Sequence, residues 1–191
     1  MQLATRTGRN IFNDAGATKL VSLTGLNTAN QEFKFLQTIT SITFKQKSMR
    51  NDLAVSSSID INAQPAKVWQ ALTTPEIIKE YLYGTETVTD WKVGSEIIFQ
   101  GDYQGHKYRD KGVIQSSIPN ELFSYTYWSG FSGLEDKPEN YSLVTYRLKQ
   151  VDNNQTRFTW EQKGFANEEG YKHSVNGMPE FLQKIKEIVE R

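Results

Sequence analysis

The run Val175-Asn176-Gly177-Met178-Pro179-Glu180-Phe181-Leu182-Gln183-Lys184-Ile185-Lys186-Glu187-Ile188-Val189 carries its apolar residues at 175, 178, 181/182, 185 and 188/189. That spacing of three and four is a helix period. From Glu180 onward the positions between are mostly Gln, Lys and Glu, so one face is apolar and the other wet. Alternating, aromatic-rich segments come before it. A sheet with one apolar face needs a cover, and this helix is the best cover the chain offers. Two starts are open to it. Pro179 can stand at the first helical position, or Asn167 can cap a longer helix that Pro179 kinks. The longer reading is preferred.

Working outward, Leu53, Val55, Ser57, Ile59 and Ile61 alternate as a strand. Pro65 breaks it and opens a short helix over Ala66–Leu72. Pro75, with Thr73 or Thr74 as cap, opens a second with Ile77, Ile78, Tyr81 and Leu82 on its apolar side. Strands are predicted at Glu86–Trp91, Glu96–Tyr103, His106–Gln115, Leu122–Trp128, Tyr141–Val151 and Thr156–Lys163, with a hairpin tip at Gln104-Gly105 and a loop over Ser129–Asn140. Strands joined by short turns run antiparallel. The expected fold is α+β, a curved antiparallel sheet of six or seven strands wrapped around one long helix. One helix need not fill such a sheet, so a cavity is a reasonable physical expectation. Residues 49–191 form this domain. Residues 1–48 are read as an appendage, poorly ordered or holding one docked strand through Phe33, Phe35, Ile39, Ile42 and Phe44.

The chain has 191 residues, formal net charge zero and no cysteine. The charge balance gives no sign of nucleic acid as a partner. The missing cysteine removes disulfides, thiolate metal sites and a cysteine nucleophile. No apolar run is long enough for a membrane-spanning helix. Met1–Gly16 lacks a secretory apolar core, and the cytoplasm is the expected setting.

The segment Ile59-Asp60-Ile61-Asn62-Ala63-Gln64-Pro65-Ala66-Lys67-Val68-Trp69-Gln70-Ala71-Leu72-Thr73 resembles the opening of the helix-grip superfamily of START domains, polyketide cyclases and Bet v 1-like proteins. Thr74-Pro75-Glu76, Asp90-Trp91-Lys92-Val93-Gly94-Ser95, Ile118-Pro119-Asn120-Glu121-Leu122 and Gly177-Met178-Pro179-Glu180-Phe181-Leu182 are similar to the branch named for the activator of Hsp90 ATPase homologue 1. The likeness covers about residues 53–190. The branch's closing motif usually reads Gly-Trp, where this chain has Gly177-Met178. The resemblance implies lipid or hydrophobic-ligand carriers, stress proteins and a few enzymes.

The first functional reading is therefore a binding protein that holds a small hydrophobic or amphipathic molecule between sheet and helix. Its expected lining is Trp69, Phe99, Tyr108, Tyr125, Tyr127, Tyr146, Trp160, Met178, Phe181 and Leu182. Buried phenols need polar partners, and such hydroxyls orient ligands in apolar pockets. The plainer reading of the same rings is ordinary core. One alternative is a co-chaperone-like module with a protein partner. Another is an enzyme of the cyclase or hydrolase kind. His106 and Asp110 share a strand face and offer a general-base pair, unless both simply face solvent near the turn. Glu161 and His173 complete the polar candidates. No cofactor is implied, and two histidines without matching carboxylates make no metal site.

Overall fold

The computed structural model describes residues 48–191. The strand expected through Phe33, Phe35 and Phe44 lies outside the described residues. The elements in order are β1 (Arg50–Ile61), α1 (Pro65–Thr73), α2 (Pro75–Tyr81), β2 (Glu86–Val88), β3 (Glu96–Tyr103), β4 (His106–Ile118), β5 (Leu122–Tyr127), β6 (Ser142–Asp152), β7 (Gln155–Phe165) and α3 (Glu168–Val189). The strands form one antiparallel sheet in the order β1-β7-β6-β5-β4-β3-β2. It curves around α3, with α1 and α2 inserted after the first strand: the helix-grip fold.

Local chemistry sets the boundaries. Pro65 and Pro75 occupy the first turns of α1 and α2, where a missing N–H costs nothing. Tyr83 (φ 52°) and Gly84 (φ 92°) reverse the chain after α2. Gln104 (φ 53°) and Gly105 (φ 81°) make the two-residue β3–β4 hairpin, which needs positive φ at both positions. β2 is shorter than expected because Trp91 sits at φ 64°, which no strand tolerates. β4 runs three residues past the expected Gln115, to Ile118, through a register shift between Ile114 and Ser116. Such bulges bend a sheet. Gly112 lets β5 cross there, because a Cβ on it would lie 1.5 Å from the Thr126 carbonyl oxygen.

The last helix begins at its Asn167 cap, whose side chain accepts the Gly170 N–H at 2.8 Å, and it continues through Pro179. The shorter start at Met178-Pro179 is thereby excluded. Its buried face is Met178, Leu182, Ile185 and Val189, and burying each such side chain is worth about 1.5–3 kcal/mol. Val175, expected on that face, is instead exposed, and no residue from Glu168 to Gly177 is buried. Only the C-terminal half of α3 covers the core. It meets Val68, Leu72, Ile78 and Tyr81 of the short helices and Ile61, Phe123 and Phe158 of the sheet in a single cluster.

Candidate functional site

The concave face of the sheet divides into an apolar centre and a polar end. The centre holds the expected lining. Phe123 lies opposite Tyr146, which lies opposite Trp160 across β5, β6 and β7. The rings form a continuous edge-to-face and tilted stack, with Phe123–Tyr146 centroids 6.1 Å apart and Tyr125–Tyr146 centroids 5.8 Å apart. Trp69 closes on Phe123 at 6.2 Å, and Phe181 of α3 touches both Tyr81 (5.6 Å) and Trp160 (5.8 Å). Met178 and Leu182 are buried against this stack.

The packing leaves little room. The space between Leu72, Ile78, Tyr81, Phe99, Tyr125 and Tyr146 admits the centre of a water-sized sphere through only about 10 Å³. That is about what one water molecule requires. The expected cavity is thus filled by its own walls in this conformation. Polar groups still converge on it. The Tyr125 and Tyr146 hydroxyls share a hydrogen bond at 2.9 Å. The Trp160 indole N–H leans toward Tyr146 but completes no bond. Burial lifts Tyr125 well above the ordinary phenol range, and the neighbouring Tyr146 adds to the shift. Tyr81 is lifted in the same way, by burial first and then by Tyr146. These phenols stay protonated, with no role as bases, and Tyr125 and Tyr146 serve each other as hydrogen-bonding groups.

The polar end lies toward the β3–β4 hairpin. Thr87 of β2, Phe99 of β3 and Asp110 of β4 are consecutive cross-strand partners and share the concave face. The Tyr127 phenol donates to Asp110 Oδ2 at 2.6 Å and also reaches the Ser129 hydroxyl. Burial raises Tyr127 far above the phenol range, with the Asp110 charge reinforcing it. Tyr108 lies over Gly101, where a Cβ would come within 2.8 Å of its hydroxyl, and bonds Thr85 Oγ1 at 2.7 Å. Phe131 of the loop after β5 stands beside Tyr108 (6.0 Å) and Tyr103 (6.5 Å). Phe131 and Tyr103 are 65% and 61% exposed.

The polar candidates do not form the pair expected of them. Asp110 is buried, while His106 is exposed at the start of β4 and its side chain enters none of the described hydrogen bonds. Neither alternative for the pair holds, because the strand face that Asp110 shares with His106 is covered at one residue and open at the other. Glu161 points to the opposite face, where Arg147 Nε meets it at 3.2 Å, so it is absent from the concave side. His173 is exposed on the uncovered half of α3. The expected lining does not name Thr85 or Thr87, and it includes Ser129 and Phe131 only as part of the Ser129–Asn140 loop expected to form the cavity's rim. The alternation of Thr85 and Thr87 around Glu86 was a signal for the first two. For Phe131 the signal was its place in that loop, as an aromatic ring between two glycines. Among the described residues no three His, Asp or Glu side chains gather as metal ligands, and no helix is long and apolar enough to cross a membrane.

This curved sheet gripping a C-terminal helix defines the class: the chain is a helix-grip protein. Residues 62–190 match the family described as "Activator of Hsp90 ATPase homolog 1-like protein", and the chain belongs to it. It is similar to a protein from Cytophaga hutchinsonii with a solution structure, at 37% identity, TM-score 0.64, covering 74% of this chain and 97% of that one. It is also similar to a crystal structure from Mesorhizobium loti, at 26% identity, TM-score 0.60, covering 72% and 97%. An HSP90 activator from Plasmodium falciparum shares the fold at 19% identity, TM-score 0.56, covering 72% and 96%. No curated protein matches the chain.

Proposed function

We propose that the protein is a non-enzymatic interaction module that binds a chaperone of the Hsp90 type and modulates its ATPase. The filled interior carries this reading. The space beside Tyr81, Tyr125 and Tyr146, about 10 Å³, favours recognition on the outside over a ligand held within. There the exposed Tyr103–Phe131 pair offers an aromatic anchor, the kind of residue that dominates protein interfaces. The family's name and the similar Plasmodium falciparum activator support the choice of partner. On this reading the protein works where its chaperone and ATP are, in the cytoplasm. The test is the steady-state ATPase rate of Hsp90 from the same source with and without the purified protein. A rise that Phe131→Ala reduces is the expected result. An unchanged rate, with no complex in analytical ultracentrifugation, overturns the proposal.

A second reading, a carrier of a small hydrophobic molecule, is favoured by one observation: the Tyr81, Tyr125 and Tyr146 phenols border the small interior space. Native mass spectrometry, with displacement of an apolar dye, checks it. A stoichiometric passenger would revive this reading, and an empty protein that ignores the dye would remove it.

A further inference from the structure

Asp110 is a carboxylate whose needs the protein does not meet. It is only 6% exposed, and Oδ1 is buried with no hydrogen-bond partner. The basic residues on either side of it in β4 are engaged elsewhere: Arg109 meets Glu96 at 3.4 Å and Lys111 meets Asp136 at 2.6 Å. Its one described partner is the Tyr127 hydroxyl on Oδ2. In the same cross-strand row, beyond Phe99, Thr87 Oγ1 is also buried and unpartnered. A buried carboxylate without a matching donor is unfavourable, and each orphaned group in a native fold calls for a partner. What is wanted at Oδ1 is an N–H donor, preferably a charged one.

The surroundings specify it further. Tyr127 spends its proton on Asp110 and its oxygen already meets the Ser129 hydroxyl, so the acceptor left open is Asp110 Oδ1. An ammonium, with three donors and no acceptor, complements that oxygen. Phe99 and Tyr127 present ring surface beside the carboxylate, 6.1 Å centroid to centroid, which suits an apolar stem. Tyr108, Tyr103 and the two-thirds exposed Phe131 lie at the rim, and aromatic faces attract cations. Trp128, which starts the loop bearing Phe131, bridges to Lys111, the residue after Asp110.

We propose that Asp110, with Tyr127 beside it, forms a recognition site for a primary ammonium on an unbranched apolar stem, admitted past Phe131. A lysine side chain of a protein and a free alkylamine share this chemistry. The assignment stands independently of the chaperone reading.

The experiment is a ¹H–¹⁵N correlation titration of the full chain with n-hexylammonium chloride, with n-hexanol as the uncharged control and acetyl-Gly-Lys-Gly-amide as the lysine source. Hexylammonium is expected to shift the amides of Tyr108–Lys111 and of Phe131, and hexanol to leave them in place. Asp110→Asn, which keeps the shape and removes the charge, should weaken the response by about tenfold or more, as loss of a charged hydrogen bond predicts. Phe131→Ala, at an exposed position, should weaken it without disturbing the rest of the spectrum. Stronger response to the peptide identifies a protein lysine as the source, and response to the amine alone identifies a small molecule. An equal response to hexanol, no response to saturating amine, or an Asp110→Asn protein that binds as wild type overturns the site.

Discussion

At the scale of single residues, two side-chain choices have measurable consequences. Gly112 sits where β5 passes so close that any Cβ would overlap the Thr126 carbonyl. Gly112→Ala must push the strands apart, and a loss of about 2–3 kcal/mol is expected in urea unfolding followed by circular dichroism. Tyr127→Phe deletes the only described donor to Asp110 and leaves both carboxylate oxygens unbonded. That variant should lose about 1–3 kcal/mol in the same measurement at neutral pH. Neither effect could be read from the sequence in full. Strand parity does put Tyr108, Asp110 and Gly112 on one face, and Tyr125 with Tyr127 on one face, and the structure keeps both. Parity is silent on depth along the strand. It cannot distinguish His106, at the open tip, from Asp110, four residues further in. Nor does it reveal that Gly101 and Gly112 are the places where a ring and a neighbouring strand come close.

At the scale of elements, α3 is held unequally along its length. Its C-terminal end is tied to β1 through Glu190, whose Oε1 accepts the Asn62 N–H and the Lys186 ammonium, each at 2.5 Å. Partial burial pushes this carboxyl up, but the Asn62 N–H and Lys186 outweigh it, so its pKa falls below the ordinary 4.5. A depressed carboxyl stabilises the fold above its unfolded pKa and loses that contribution as pH falls through the folded value. Wild type should therefore lose melting temperature as pH drops below about 4.5, and Glu190→Gln should flatten that slope. A variant whose acid slope is unchanged would show that the tie is not electrostatic. At mid-helix, Pro179 cannot donate to the Val175 carbonyl. Pro179→Ala should restore that bond and slow hydrogen exchange in the turn around Val175–Gly177. The boundaries of these elements were largely legible, because Pro65, Pro75, Asn167 and the Gln104-Gly105 tip each act through local backbone chemistry. The extent of burial was not. The apolar period of α3 includes Val175, yet the sheet curves beneath only the half that begins at Met178.

At the scale of the whole molecule, the sheet order and the wrapped helix followed from the alternation, the short turns and the helix period. The cavity did not, because whether a curved sheet is left hollow depends on how rings interlock across several strands, and no local pattern encodes that. Phe123, Tyr125, Tyr146 and Phe158 fill the space that the helix alone would leave. The sheet order has a further effect, on the protein's birth. Strands β3 to β7 each lie beside the strand just before them in the chain, so five hairpins can close as they leave the ribosome. The first strand has no such neighbour. Ser58 waits for Thr159, 101 residues later, and Ile59 and Ile61 stay without Phe158 and Thr156 until β7 is made. Pairing at that distance is the slow step that topology imposes. Through most of synthesis the nascent chain displays an unpaired apolar strand, the kind of surface that draws aggregation and chaperones alike.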